Sequence, residues 1–208
     1  MSLTCPISVD HAKITSKRDD RKIDWSPDYR YVLLPSLDDK IVPFVCALDR
    51  QKDFKVCKTF MGPFSSINCV KFNPNLYAHK ETVINIFALG DNDGNISIWG
   101  IGDNYTARKP FFLFKSHPNG NELIEDICWN AEGNMLIATT LKKYVFVALF
   151  GPSVFGERLS SVQKQDFLEG KYGTLRTVAA TNTKFKTFKA TNESAGGMDS
   201  LGGLDNRV

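Results

Sequence analysis

The segment Leu89–Trp99 constrains the fold of this 208-residue chain more than any other segment. It reads Leu-Gly-Asp-Asn-Asp-Gly-Asn-Ile-Ser-Ile-Trp, a Gly-x-x-Asp-Gly turn followed by an alternating strand that ends on Trp99. An Asp-Gly pair before alternating apolar residues is a strong hairpin signal, because both residues tolerate the backbone angles of a tight turn. The pattern therefore predicts two antiparallel strands joined at Asp93 and Gly94.

Three segments repeat one theme, in which a short strand ends on an aromatic residue and a polar turn and an apolar strand follow. The aromatic residues are Trp25, Phe72 and Trp129, which are 47 and 57 residues apart. A WD repeat, which builds one four-stranded propeller blade, is ~40–45 residues long. An insertion near residues 75–81, predicted to lengthen a polar turn, and a loop near residues 102–110 account for the excess.

Strand-forming residues alternate with turn residues almost throughout the first 155 positions. We predict an all-β fold, a partial WD40 β-propeller of about three four-stranded antiparallel blades with a short helical or disordered C-terminal tail. The blades are expected at about residues 20–60, 67–115 and 123–150, although the third shows only three strands. Because propellers close with ~4–8 blades, we expect a piece of a longer propeller, or one completed by another chain.

The segments on either side of the predicted propeller (residues 20–155) differ from it in composition. Residues 1–19 are interpreted as an N-terminal lead-in. Residues 156–175 form a post-propeller segment, with a short helix predicted over residues 157–169 and Leu159, Val162 and Phe167 or Leu168 facing inward. Residues 176–208 are first basic and then rich in Gly and Ser, so we expect a disordered tail.

Composition excludes several classes of function. The net charge of +3 is too small to imply a nucleic-acid or membrane partner, and no apolar run is long enough to span a membrane. The five cysteines include no C-x-x-C pair, which predicts reduced and mostly buried thiols in an intracellular protein. No histidine has a partner at metal-ligand spacing, and no phosphate-binding or nucleophile motif occurs. We therefore predict a non-enzymatic protein with no cofactor, metal or small-molecule substrate.

Several motifs resemble those of the HIRA-type histone chaperones. Ile23–Tyr29 reads I-D-W-S-P-D-Y and resembles the W-S-P-D element of that family. Lys55–Gly62 resembles the family's F-x-G-H segment, and Val70–Pro74 reads V-K-F-N-P and resembles the strand that follows it. The K-F-N-P element is the most specific of these, since W-S-P-D occurs in many WD-repeat proteins.

The resemblance continues through the third repeat. Ile124–Trp129 resembles the family's I-M-D-I-S-W element, and Lys171–Gly173 resembles a Tyr-Gly pair that follows its propeller. Over about residues 20–175, the resemblance implies the last three of seven blades in a nuclear protein of replication-independent chromatin assembly and transcriptional repression. It implies a ubinuclein-type co-subunit and core histones as partners, and indirect association with chromatin. The alternative is a WD-repeat adaptor in ubiquitin transfer, trafficking or RNA processing, or a truncated fragment of such a protein.

Some positions depart from the family pattern. Gly62-Pro63 stands where the family has Gly-His, and Lys142-Lys143 replaces the Asp-Gly turn of the last repeat. Asp93 and Trp99 are expected to belong to a buried hydrogen-bond network that the missing histidine leaves incomplete. The residues predicted to have structural roles in the blades are Trp25, Phe72, Asp93, Trp99 and Trp129.

The loops are the best place to look for partner binding. Blade scaffolds present the loops at residues 61–66, 90–94, 116–122 and 139–143 on one rim, and loops on rigid frames carry function. Phe64 is an apolar residue in a loop that we expect to be exposed, and Lys142 and Lys143 form a small basic patch. The partner-binding candidates are Phe64, Asn92, His117, Lys142 and Lys143.

Overall fold

The part of the chain that the structure describes forms three antiparallel β-sheets and one α-helix. The structure, a computed structural model, describes residues 22–35, 44–61, 65–117 and 121–173. These residues belong to one compact unit that ends at Gly173. The predicted all-β fold is confirmed, because the three sheets are successive blades of a partial β-propeller. The predicted lead-in (residues 1–19) and tail (residues 176–208) lie outside the described residues and stay predictions.

Each blade is an antiparallel meander of strands that follow one another in the sequence, and blade 2 gains a fifth strand from the segment after blade 3. Blade 1 consists of β1 (Asp24–Trp25), β2 (Tyr31–Pro35), β3 (Phe44–Asp49) and β4 (Lys55–Met61). Blade 2 consists of β5 (Ile67–His79), β6 (Thr82–Asp91), β7 (Asn95–Gly102), β8 (Phe112–Lys115) and β12 (Glu157–Arg158). Blade 3 consists of β9 (Ile124–Trp129), β10 (Met135–Thr140) and β11 (Val145–Leu149). Blade 3 has three strands within the described residues, as the sequence predicts.

The insertion near residues 75–81 is not the long polar turn that the sequence predicts. β5 and β6 instead continue as a paired hairpin to a tight turn at Lys80, which has a φ of 56°. A register shift between Phe72 and Leu76 absorbs the extra residues. The prediction was wrong because Leu76 and Tyr77 bury their side chains and so favour pairing over a solvated loop. The added length also lets β12 pair with β5 as a fifth strand.

The core lies between the blades. Tyr31, Leu33 and Phe60 of blade 1 pack on blade 2 in one apolar cluster, and a second cluster joins blade 2 to blade 3. The rings of Phe60 and Phe87 meet edge-on with centroids 4.9 Å apart, a favoured aromatic geometry. Three of the predicted structural residues are buried in these clusters, namely Phe72, Trp99 and Trp129. Trp25 is 45% exposed and meets Phe54 edge-on.

A polar clamp joins blade 2 to blade 3 at Asn73, the asparagine of K-F-N-P. The Asn73 amide donates to the carbonyl of Gly133 at 2.7 Å, in the turn between β9 and β10. Its oxygen accepts from the Asn75 N–H at 3.0 Å and from the Tyr77 hydroxyl at 3.1 Å. Because Asn73 is fully buried, these bonds satisfy an amide that would otherwise be costly to bury.

An ionic lock fixes the helix α1 (Ser161–Tyr172) to blade 1. Lys171 donates to the Asp28 carboxylate at 3.3 Å and to Asp103 at 3.0 Å, and its side chain is 10% exposed. Arg30 reaches Asp103 as well and holds Asp49 through two bonds of 3.0 and 2.9 Å. The aspartate of W-S-P-D thus anchors a segment far along the chain.

The helix begins later than the sequence predicts. A capping box formed by Ser160 and Gln163 starts it at Ser161, because the residues before it are taken up by β12. Leu168 is buried as predicted, but Val162 is 69% exposed and does not face inward. No helix within the described ranges is long and apolar enough to cross a membrane.

The prediction of mostly buried cysteines is wrong for the four that the structure describes. Only Cys69 is buried, whereas Cys46 and Cys57 are half-buried and Cys128 is exposed. Cys128 lies on β9 opposite Ile137 of β10, on a sheet face that no described residue covers. All four thiols are free.

The Asn73 clamp can be tested at Gly133, which has a φ of 68°. A Cβ there would lie 2.3 Å from the Asn73 oxygen, so Gly133→Ala should lower the free energy of unfolding by about 2–4 kcal/mol. Urea unfolding followed by tryptophan fluorescence measures the change. Gly151→Ala is the matched control, because nothing lies within 4 Å of its Cβ position. Equal stability of the two variants would contradict the clamp.

The ionic lock can be tested by removing one charge without changing shape. Asp28→Asn should lower the free energy of unfolding by about 2 kcal/mol, because the buried ammonium of Lys171 loses a carboxylate partner. Asp166→Asn, on an exposed position of α1, should change stability by less than about 0.5 kcal/mol. If the two variants unfold at the same urea concentration, Lys171 does not depend on Asp28.

Candidate partner-binding rim

Backbone and side-chain bonds join two of the predicted loops at one end of the blades. The Asn92 N–H donates to the carbonyl of Ser66 at 2.9 Å, and the Asp93 N–H donates to the Ser65 hydroxyl at 3.0 Å. The loop after β4 is therefore attached to the turn between β6 and β7. These contacts join the end of the segment that links blade 1 to blade 2 to a turn of blade 2.

The loop between β8 and β9 joins the same turn. The Ser116 N–H donates to the carbonyl of Gly94 at 2.8 Å, and the Lys115 ammonium donates to the carbonyl of Asp93 at 2.6 Å. Gly94 has a φ of 80°, and a Cβ there would lie 2.8 Å from the carbonyl oxygen of Glu122. Only glycine allows the two loops to approach so closely.

The turn between β10 and β11 lies at the same end of the blades and contacts the loop before β9. Glu122 is buried, and its carboxylate accepts from the Thr140 hydroxyl at 3.3 Å and from the Lys142 ammonium at 2.9 Å. The Leu141 N–H donates to the carbonyl of Leu123 at 3.0 Å. Side-chain hydrogen bonding to Glu122 raises the pKa of Lys142, so this lysine stays cationic at neutral pH.

We call the connected surface of residues 65–66, 91–94, 115–117, 121–123 and 140–144 the loop rim. Four partner-binding candidates lie on it: Asn92, His117, Lys142 and Lys143. Asn92, Lys142 and Lys143 are exposed, and His117 is half-buried. Phe64 lies outside the described residues, so its candidacy stays a prediction.

Two apolar residues on the rim were not among the candidates. Tyr144 is 45% exposed and stacks on His117 with ring centroids 4.8 Å apart, and Leu141 is 49% exposed. The predicted loop ended at residue 143, so the position of Tyr144 at the end of the turn between β10 and β11 was not predicted. An exposed aromatic pair beside two lysines offers stacking, apolar and charged contacts in one place.

The expected buried network of Asp93 and Trp99 is not present in that form. Asp93 is exposed, whereas Asp91 is buried and accepts from the N–H groups of Asp93 and Asn95 at 3.0 and 2.8 Å. The Trp99 indole instead donates to the Ser97 hydroxyl at 2.9 Å. The prediction named the wrong aspartate of the Asp-Asn-Asp-Gly turn. The first aspartate, Asp91, closes an Asx turn and is the buried one. The preference of aspartate for the first position of such a turn was the sequence signal that could have identified Asp91.

Burial disfavours the charged form of three of the described cysteines. Burial raises the pKa of the Cys69 thiol to about 12 and also raises the pKa values of Cys46 and Cys57, so none of the three is a ready thiolate. Within the described ranges, no group of three or more His, Cys, Asp or Glu side chains could hold a metal ion.

Comparison with known proteins identifies relatives. The chain is 24% identical to Protein HIR2 of Debaryomyces hansenii over 169 residues, which cover 79% of this chain and 16% of that protein. It is 30% identical to Protein HIR1 of Cryptococcus neoformans var. neoformans serotype D over 141 residues, which cover 65% and 15%. It is 28% identical to Protein HIRA of Caenorhabditis elegans over 150 residues, which cover 70% and 15%.

No protein-family profile matches the chain, and the chain spans only 15–16% of the length of these three relatives. The W-S-P-D, K-F-N-P and I-E-D-I-C-W motifs occur in this order along the described blades. The chain is therefore related to the HIRA histone chaperone family.

Proposed function

We propose that this chain is a non-enzymatic interaction scaffold that acts in replication-independent chromatin assembly and transcriptional repression in the nucleus. Relation to the HIRA family supports the biological setting. The loop rim supports the scaffold role and is the observation that carries the proposal. Hydrogen bonds join the loops that link the blades to the turns of blades 2 and 3, so the rim is held together by its own contacts.

The exposed groups of the rim suit contact with a protein partner. Lys143 is exposed at a left-handed turn with a φ of 69°, and Tyr144 stands beside it on the ring of His117. A fixed aromatic group flanked by cations suits a partner segment that carries an apolar side chain next to carboxylates. Preorganisation lowers the entropy lost on binding, because the loops need not be ordered by the partner.

The proposed partners are a ubinuclein-type co-subunit and core histones. The co-subunit would bind the rim directly, and histones would be recovered through the assembled complex. Association with chromatin would follow from these protein contacts. The small net charge of the chain gives no separate electrostatic reason for direct DNA binding.

A charge reversal at Lys143 tests the rim. Lys143→Glu should weaken recovery of a purified ubinuclein-type co-subunit about tenfold, because it repels the carboxylates of the bound segment. The measurement is a titrated pull-down with the full 208-residue chain as bait. Lys80→Glu is the matched control, since Lys80 is an exposed lysine with a φ of 56° at the far end of the β5–β6 hairpin.

The outcomes separate the site from the function. Equal loss in both variants, or in neither, would remove the rim as the binding surface while leaving the partner in place. Recovery from nuclear extract of ubiquitin-transfer, trafficking or RNA-processing proteins, without histones or a ubinuclein-type protein, would overturn the proposed function itself.

A further inference from the structure

The helix α1 crosses the end of the blades opposite the loop rim. β7 runs away from the rim turn and ends at Gly102, and Asp103 follows it at the opposite end. The ammonium of Lys171 contacts Asp103 there. Nearer the start of the helix, Lys164 donates to the carbonyl of Pro74 at 3.2 Å, at the base of the β5–β6 hairpin extension. α1 therefore lies across the blades without being part of any sheet.

Two adjacent side chains in the last turn of α1 occupy one pocket of the blades. The ammonium of Lys171 lies 3.3 Å from the carboxylate of Asp28 and 3.0 Å from that of Asp103. The Tyr172 hydroxyl donates to the backbone carbonyl of Asp28 at 2.8 Å, and the guanidinium of Arg50 lies 5.2 Å from the centre of the Tyr172 ring. Burial raises the pKa of Tyr172 to about 12, so its hydroxyl remains a donor at neutral pH. We call Asp28, Arg50 and Asp103 the lysine–tyrosine pocket.

The blades form this pocket without help from α1. The Asp28 carboxylate accepts from the Ser26 hydroxyl and from the backbone N–H of Arg30 at 3.1 Å, within the turn between β1 and β2. The guanidinium of Arg30 binds Asp49 and also reaches Asp103. These bonds keep both carboxylates in position whichever group supplies the second cation. Because the Asp28 side chain is only 2% exposed, its charge would be costly to leave without a cationic partner.

The remainder of α1 makes a weak attachment. The helix has 12 residues and one buried side chain, Leu168, and Val162 on its first turn is 69% exposed. Gly170 lowers the helix propensity of the last turn. Because an isolated helix of ~12 residues is marginal in water, α1 is helical mainly because it is docked. Its release would therefore expose little apolar surface and would be opposed chiefly by the contacts of Lys171 and Tyr172.

We propose that the lysine–tyrosine pocket is a docking site for a basic protein segment in which a lysine stands next to an aromatic residue, and that α1 occupies this site in cis. The carboxylates of Asp28 and Asp103 select an ammonium group, and Arg50 selects an aromatic ring through a cation–π contact. Charge complementarity thus determines the occupant, because an acidic segment would leave the Asp28 carboxylate without a cation.

A partner must compete with α1, and this competition regulates the site. A short tether gives α1 an effective concentration on the order of millimolar, so a single lysine–aromatic pair in trans does not displace it. A segment with several such pairs, or release of α1 by another contact, opens the pocket. The pocket and the loop rim lie at opposite ends of the blades, so this proposal stands whether or not the rim binds a partner.

A labelled peptide tests whether the pocket accepts a segment in trans. The host is the full chain with the double substitution Lys171→Gln and Tyr172→Ala, which removes both groups from the pocket in cis. A fluorescein-labelled peptide of residues 160–173 should bind this released chain with a dissociation constant at least about tenfold lower than for the wild-type chain. The same peptide with Lys171→Gln is the matched control and should bind neither host. The host Asp166→Asn, changed at an exposed position of α1, should behave as wild type.

Random copolymers identify the chemistry of the partner. An unlabelled copolymer of lysine and tyrosine should displace the labelled peptide from the released chain, whereas a copolymer of glutamate and tyrosine should not. Polylysine of the same length should displace it at least about threefold less effectively, because it lacks the ring that Arg50 contacts. Equal displacement by polylysine and the lysine–tyrosine copolymer, or any displacement by the glutamate copolymer, would overturn the proposal.

Hydrogen exchange in the wild-type chain provides a test that needs no substitution. Adding the lysine–tyrosine copolymer should speed exchange of the backbone amides of Phe167 and Leu168 in α1, whereas those of Ile86 and Phe87 in β6 should stay protected. If the α1 amides exchange only together with the β6 amides, α1 is a fixed part of the fold and the proposal fails. Binding of the labelled peptide to neither host, or to both with equal affinity, would also contradict displacement of α1.

Discussion

The burial of blade 2 on both of its faces is the constraint on which the rest of the structure depends. Every residue from Ile84 to Asp91 in β6 is buried, although side chains of one strand point alternately to two sides. Ile84, Ile86 and Ala88 belong to the cluster shared with blade 3, and Phe87 and Leu89 belong to the cluster shared with blade 1. Within the described residues, the outer blades are thus held by one central layer.

This layering explains which parts of the fold the sequence could predict. Strands with one packed face show clear alternation, and turns such as Asp93-Gly94 carry their own chemistry, so most strands lie close to where the pattern places them. The β5–β6 extension was missed because Asn73, Pro74 and Asn75 resemble a turn locally. The strand resumes after them at Leu76, where Tyr77 is buried and pairs with β12, which is far along the chain.

The candidate site was predictable at the level of loops and not of side chains. The Asp-Gly turn and the loop positions indicated the rim, but not the buried carboxylate of Glu122, which lies before β9 and bonds Thr140 and Lys142 at the turn between β10 and β11. The residues of the K-F-N-P and W-S-P-D motifs also bond to partners that are distant in the sequence. Asn73 bonds Gly133, and Asp28 bonds Lys171, across 60 and 143 positions of the chain. Local patterns do not reveal such partners, because the bonds exist only once the blades have stacked.

The stacking of the blades therefore determines the geometry of the rim. Gly90 lies under the rim, and a Cβ there would be 2.5 Å from the Ile124 side chain and 2.9 Å from the sulfur of Cys69. This close approach of β6 to β9 sets the distance between the loops that Gly94 and Glu122 join. Because packed interiors transmit small displacements, a change at the interface between blades 2 and 3 would shift Tyr144 and Lys143 without touching either residue. The positions of the rim residues and the contact between blades 2 and 3 consequently depend on the same packing.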